Sequence, residues 1–165
     1  MKDLEIRMYG LVPYNLSSIQ KGIQYGHAVV EYGLQMSNLE ASSSGQEDDF
    51  LVNRYKDWAN KWKTFIILNG GTTNDRESSL GSLNEHLRIL TEELGVTVAT
   101  FREPDLGDQL TAVVFLIDER VFNDKKYPNP IDFDTNAEAR RTFLREIGGM
   151  RNLRLREYLK DFRPA

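Results

Sequence analysis

Apolar runs of strand length recur four times along the chain. Residues 4–12 alternate loosely between apolar and polar side chains and end at Pro13, whereas 64–68 is a short apolar run typical of a strand buried on both faces. Two further apolar runs, 96–101 and 110–117, are separated by a turn-rich segment. The pattern predicts four strands, and the link between the last two is so short that they need not be parallel neighbours.

Segments with helical spacing lie between and after these runs. A serine-capped helix is predicted over 17–33, a shorter one over 50–61, and a leucine-rich one over 80–94. Residues 38–49 are rich in serine, glycine and acids and predict a loop. Two further helical segments fill 136–162 and are broken by a pair of glycines. Strands and helices therefore alternate over most of the chain.

Alternating strands and helices are typical of α/β folds. We expect residues 1–122 to form a three-layer α/β/α sandwich with a four-stranded mixed sheet. A C-terminal helical extension, 123–165, would pack on this domain or on a partner subunit, with its apolar positions inward and its arginines outward. His86 lies on the leucine-rich helix, and we expect it to be a solvated surface residue.

The first predicted helix carries three glycines, although an interior glycine costs about 0.5–1 kcal/mol relative to alanine. Gly22, Gly26 and Gly33 share one helical face, which predicts that this face presses against the sheet. Such a contact would hold a neighbouring polar stripe near a cleft. Packing alone, with His27 as a structural histidine, is the simpler alternative. The polar stripe consists of Gln20, Gln24, His27 and Glu31.

A second candidate segment, residues 101–112, joins the last two strands. It places the acids Glu103, Asp105 and Asp108 and the hydroxyl of Thr111 around one turn. Ligand-binding groups concentrate on loops that a rigid scaffold holds, so these side chains are candidates for a binding or catalytic site. Acids are also common on exposed turns, which leaves a solvated turn as the alternative.

Composition changes this picture mainly through charge. The chain has 165 residues and a net charge of −4; residues 135–165 hold eight arginines and lysines against four acids, so this tail is +4 and the remainder is −8. A basic tail beside an acidic body marks either a nucleic-acid contact or a helix docked on its own domain. Because the chain has no cysteine, no long apolar run and no signal-peptide pattern, we expect a cytoplasmic protein, outside membranes, that needs neither metal nor cofactor.

Four motifs occur in an order that a known superfamily shares. They are Gln-Tyr-Gly-His-Ala at 24–28, a tryptophan before the strand TFIIL, Leu-Gly-Val at 94–96, and an Asp-x-Gly turn, 105–107, before a strand that opens Thr-Ala-Val-Val. Over residues 4–117 the chain thereby resembles the type II peptidyl-tRNA hydrolase superfamily, and it looks most like a divergent, poorly characterised branch. The tail lies outside the resemblance.

The resemblance implies hydrolysis of the ester bond in peptidyl- or aminoacyl-tRNA. Asp105 matches the aspartate of the family's turn and would position or deprotonate water, while Thr111 matches the threonine that opens the last strand. Gln24 and His27 match a helix pair that would orient the carbonyl or the terminal nucleotide. Lys21 lies one residue after the expected lysine and would substitute for it electrostatically.

Two departures from the family pattern lead to a second hypothesis. Gln20 stands where the family has its lysine, and Asp108 stands where the turn carries an arginine. Both changes weaken affinity for a polyanionic tRNA. The alternative is a catalytically inactive member that binds a nucleotide, an RNA or a protein. Its binding residues would be Gln20, Gln24, Glu103 and Asp108. A third hypothesis is an adaptor that forms homodimers through its C-terminal helices.

Overall fold

A computed structural model of the chain describes residues 3–42, 45–73 and 81–165. This part of the chain contains both helices and strands in alternation, and the fold is of the α/β class. All four predicted strands are present and belong to one mixed sheet, which confirms that expectation. Within the described ranges, no helix is long and apolar enough to cross a membrane.

The sheet has the strand order β2-β1-β4-β3. Strand β1 spans Ile6–Val12, β2 spans Thr64–Asn69, β3 spans Val98–Glu103 and β4 spans Gln109–Asp118. Strands β1 and β2 are parallel, and the helices between them supply the crossover that a parallel pair needs. Strand β4 runs antiparallel to both β1 and β3. The turn between β3 and β4 holds only one turn of 3₁₀ helix, Pro104–Leu106, so these two strands form a hairpin.

Helices connect β1 to β2 and β2 to β3. Helix α1 spans Ser18–Ser42, and α2 spans Gln46–Asp57 and continues into a π-helical turn, Trp58–Trp62. Helix α3 spans Leu83–Arg88 and likewise ends in a π-helical turn, Ile89–Glu93. The start of the leucine-rich helix predicted at position 80 lies outside the described residues.

The tail forms helices at the two predicted segments. After the short helix α4, Glu119–Phe122, come α5, Ala137–Ile147, and α6, Met150–Leu159. The chain reverses between α5 and α6 at Gly148 and Gly149, whose φ angles of 85° and 104° suit glycine.

The loop predicted at 38–49 is wrong for most of its length. Helix α1 continues to Ser42, and α2 begins at Gln46. Leu39 packs partly buried against the core, so tertiary contact outweighs the polar composition of this segment.

The predicted contact between the α1 glycines and the sheet is wrong. Gly22 and Gly26 are exposed, and a Cβ built on either would meet nothing within 4 Å. Gly33 faces helix α2 instead, where a Cβ would stand 2.7 Å from the Tyr55 hydroxyl oxygen. A different stripe at helical spacing is buried, because most of its side chains are large and apolar whereas the glycines have none. That stripe consists of Tyr25, Ala28, Tyr32 and Met36.

The close approach between α1 and the sheet occurs at Gly10 of β1. A Cβ on Gly10 would stand 2.2 Å from a ring carbon of Tyr25, so the ring occupies the space that a side chain would need. The Tyr25 hydroxyl donates a hydrogen bond to the carbonyl oxygen of Met8 at 2.8 Å. Burial of this phenol raises its pKa. The glycine that permits the contact therefore lies in the strand and not in the helix.

Alternate strand residues belong to two different hydrophobic clusters. Met8 and Val114 cluster with buried side chains of α1 and with Trp58. Leu11 and Val113, each an odd number of residues away on the same strands, cluster with buried leucines of α3 and α6. Helices thus cover both sets of strand residues.

His86 is buried, which corrects the expectation of a solvated residue. Its Nδ1 lies 2.6 Å from the Tyr158 hydroxyl oxygen of α6, and its ring packs edge-on against Phe162 at 4.9 Å between centroids. Residues near the C-terminus therefore cover α3. This contact joins positions more than seventy residues apart, so the local pattern around His86 did not indicate it.

We expected the arginines of the tail to point outward, and for Arg156 this expectation is wrong. Arg156 is buried; its Nη1 donates to the Tyr127 carbonyl oxygen at 2.7 Å, and its Nη2 donates to the Arg120 carbonyl oxygen at 2.5 Å. Leu155, the preceding residue, belongs to the second hydrophobic cluster. The apolar side of α6 therefore packs on its own chain, and nothing here supports a homodimer through the C-terminal helices.

Candidate functional site

A chain of hydrogen bonds links three predicted site residues from three elements. The Gln24 amide nitrogen of α1 donates to the Glu103 carboxylate at the end of β3, with 2.6 Å between Nε2 and Oε2. The Thr111 hydroxyl of β4 donates to the Gln24 amide oxygen, also at 2.6 Å. Gln24 is thus held at both ends of its amide, and we call these three residues the polar relay.

A β-bulge explains how Thr111 joins the polar relay. Phe101 pairs with Ala112 and Arg102 pairs with Leu110, so Thr111 is the extra residue on β4. Leu110 and Ala112 belong to different hydrophobic clusters, and the irregularity lets the intervening hydroxyl reach α1. Thr111 has no exposed surface. Its hydroxyl is therefore buried within the relay.

His27 lies one helical turn after Gln24 and remains exposed. Its ring stacks on the partly buried ring of Phe101, with 4.4 Å between centroids and 19° between planes. One face of the imidazole is therefore supported by an aromatic ring of β3. The arrangement provides a small flat platform beside the polar relay.

The acidic turn between β3 and β4 is tightly folded. Gly107 and Asp108 both adopt left-handed conformations, with φ angles of 67° and 58°. Aspartate is among the few residues that tolerate this region, and the Asp108 amide donates to the Glu103 carbonyl oxygen at 3.0 Å. Asp105 and Asp108 are exposed, while Glu103 is half-buried. The structure thus brings Glu103 into the relay and places the other two acids on the solvent side of the turn.

Gln20 and Lys21 lie at the start of α1. Gln20 and Ser17 form a capping box: the Ser17 amide donates to the Gln20 Oε1 at 3.1 Å, and the Gln20 amide donates to the Ser17 Oγ at 3.2 Å. Gln20 therefore stabilises the helix terminus. The spacing Ser-x-x-Gln is the sequence signal for such a cap. Lys21 is half-buried and begins the backbone bonding of the helix, since its amide donates to the Ser17 carbonyl oxygen.

Sequence reasoning missed one polar pair at this end of the sheet. The Thr73 hydroxyl lies 2.7 Å from the side-chain oxygen of Gln109, the residue that pairs with Glu103 across the hairpin. Thr73 is buried and follows the glycine turn after β2. A buried threonine after a glycine turn has no distinctive sequence pattern, so only the fold reveals this contact.

Several side chains of the site reach solvent. They include the His27 platform, the Glu103 carboxylate, the two turn acids and Lys21. Arg102 is also exposed, and its Nη1 donates to the Asp108 carbonyl oxygen at 3.2 Å. Among the residues that the structure describes, no group of three His, Cys, Asp or Glu side chains could hold a metal ion. Acids outnumber cations around the turn, which repels the phosphates of a nucleic acid.

Comparisons with known proteins do not identify a relative. No family model, no curated protein and no solved structure matches the chain.

Proposed function

We propose that the chain is a non-catalytic binding module, similar in fold to the type II peptidyl-tRNA hydrolases, that recognises a nucleoside, free or at the end of an RNA. The polar relay carries this proposal. Thr111 is buried and both ends of the Gln24 amide are occupied, so two of the residues expected to serve hydrolysis serve each other instead.

The His27 platform would bind the base. A nucleobase can stack on the exposed face of a ring that is itself supported from behind, and base–aromatic stacking contributes about 1–3 kcal/mol per base. The Phe101 ring at 4.4 Å supplies that support. The Glu103 carboxylate, already oriented by Gln24, would accept a hydrogen bond from an amino group on the base edge.

Charge decides which end of a nucleotide enters. Asp105 and Asp108 are exposed beside the relay, and they disfavour phosphate at the turn. Lys21 lies one helical turn before Gln24 and places a positive charge near the start of α1. We therefore favour an uncharged nucleoside at the turn, with any phosphate directed toward the start of α1.

The proposed module includes a three-layer α/β/α arrangement. The two hydrophobic clusters support it, because α1 contributes to one and α3 to the other. On this proposal residues 1–122 form the binding domain, and the extension 123–165 completes the second cluster through Leu155.

Titration with nucleosides and short single-stranded RNA, followed by calorimetry, tests the function. We expect His27→Ala to weaken binding about 5- to 100-fold, because it removes the stacking platform. Asn38→Ala, on an exposed position of the same helix, is the matched control and should leave affinity unchanged. Nucleoside binding should depend little on salt, since it neutralises no phosphate. Equal affinities for wild type and His27→Ala would contradict the proposal.

Ester hydrolysis is the second candidate, and the exposed Asp105 favours it. A carboxylate open to solvent beside the relay is able to hold a water molecule for attack on an ester. The test is release of amino acid or peptide from charged tRNA by the wild type and by Asp105→Asn. Release by the wild type that the variant loses would replace the binding proposal with the hydrolase.

A further inference from the structure

Helix α1 presents a second apolar face, directed away from the sheet. Ile19, Ile23, Val30 and Leu34 recur at helical spacing, and they are 77%, 51%, 61% and 54% exposed. We call these four residues the outer face of α1. Large apolar residues in a contiguous exposed row are characteristic of interaction surfaces.

The outer face carries no charged residue and includes positions without a side chain. Gly22 and Gly26 lie between its large residues, and a Cβ on either glycine would meet nothing within 4 Å among the described residues. Nothing in the described part of the chain therefore requires a glycine at either position. A second backbone that approaches closely would require both, because a side chain at these positions would hold it away.

We propose that the outer face is the interface of a homodimer, in which α1 packs antiparallel against α1 of a second copy. A two-fold axis at Gly26 would place Val30 of each copy level with Gly22 of the other, since both positions lie four residues from Gly26. The bulkier residue then meets the gap left by the glycine. Such self-complementarity is what an interface between identical copies needs.

The area of the outer face fits a reversible dimer. Its four side chains expose on the order of 400 Å² of apolar surface, the scale of a functional patch on a monomer. Two copies would bury on the order of 800–1,000 Å², which is less than the roughly 1,200 Å² of stable specific interfaces and falls in the range of weak, transient ones. The dimer should therefore dissociate in the micromolar range and not in the nanomolar range.

Sedimentation equilibrium of the full chain over about 1–200 µM, without added ligand, tests the dimer. We expect Val30→Lys to weaken association at least about tenfold, because it buries a charge in an apolar contact. Asn60→Lys adds the same charge at an exposed position outside α1, in the π-helical turn after α2, so it should associate like the wild type. A wild type that stays monomeric at the highest concentration, or equal association of both variants, would overturn the proposal.

A second pair of variants separates assembly from folding. Gly26→Ala should raise the melting temperature by about 2–4 °C, because alanine favours the helix and meets no neighbour among the residues that the structure describes. Gly26→Leu should fold as well as the wild type and lose association at least about tenfold. Association that survives Gly26→Leu would refute the close approach. The association experiments contain no nucleoside. A failure of the dimer proposal therefore does not affect the nucleoside titration of His27→Ala.

Discussion

Thr111→Val should destabilise the protein by more than its small change in shape implies. The substitution keeps the branched shape and removes the hydroxyl that donates to the Gln24 amide oxygen at 2.6 Å. Gln24 is only 7% exposed, so water cannot replace the lost donor. A buried acceptor left without a partner costs about 1–3 kcal/mol. For a chain of this size, about 2 kcal/mol lowers the melting temperature by about 4–8 °C.

Urea denaturation and thermal melting of Thr111→Val and Thr100→Val measure this effect. Thr100 is a half-buried threonine on the neighbouring strand β3, so the same change there should stay within about 0.5 kcal/mol. Thr111→Ser keeps the hydroxyl and should recover most of the stability. The reasoning fails if Thr111→Val and Thr100→Val destabilise equally.

A double-mutant cycle locates the loss in the polar relay. Gln24→Leu removes both the acceptor for Thr111 and the donor to Glu103. Once the glutamine is absent, Thr111→Val no longer leaves an acceptor unpaired, so we expect a coupling of at least about 1 kcal/mol between the two substitutions. Additive effects would show that Thr111 acts through packing alone.

Two further predictions concern stability. Burial opposes ionisation of Asp118, but hydrogen bonds from Arg120 and the charge of Arg54 outweigh it and lower the pKa of this carboxyl. The stabilisation that ionised Asp118 gives is therefore present above about pH 4 and is lost as pH falls through the lowered pKa. In urea denaturation, the difference in unfolding free energy between the wild type and Asp118→Asn should shrink in acid. A difference that does not change with pH would contradict this. Gly10→Ala should destabilise by about 1–3 kcal/mol in the same assay, since its Cβ would stand 2.2 Å from a ring, whereas Gly22→Ala should not destabilise.

Local patterns were sufficient to predict the strands. Each strand lies within about two residues of its apolar run, because burial against both hydrophobic clusters depends on side chains that the run itself contains. The short link between β3 and β4 predicted only that these strands need not be parallel neighbours; they are antiparallel, and Pro104 and Gly107 occupy turn positions that suit them.

Spacing along α1 did not reveal which face meets the sheet. Gly22 and Gly26 recur at helical spacing, and so do Tyr25 and Tyr32, which are buried. Periodicity gives the relative angle of residues and not the direction of the core. Volume would have separated the two stripes, because the tyrosines have more apolar surface to bury.

Non-local contacts account for the remaining errors and for the details of the site. His86 is buried by α6, and Arg156 is buried by the loop that precedes α5. Thr111 reaches Gln24 only through a bulge whose register depends on both strands of the hairpin. No local composition encodes these contacts, although the order of motifs pointed to Gln24 and Thr111 together.

The two sides of α1 meet different requirements, and substitutions can separate them. On the sheet side, Tyr25 fits against β1 because Gly10 leaves room for its ring, so the fold depends on a glycine in the strand. On the opposite side, Gly26 leaves room that nothing in the described chain fills. A helix with apolar residues on two faces is stable when both are covered. Gly10→Ala should therefore weaken folding, whereas Gly26→Leu should weaken association and leave folding intact.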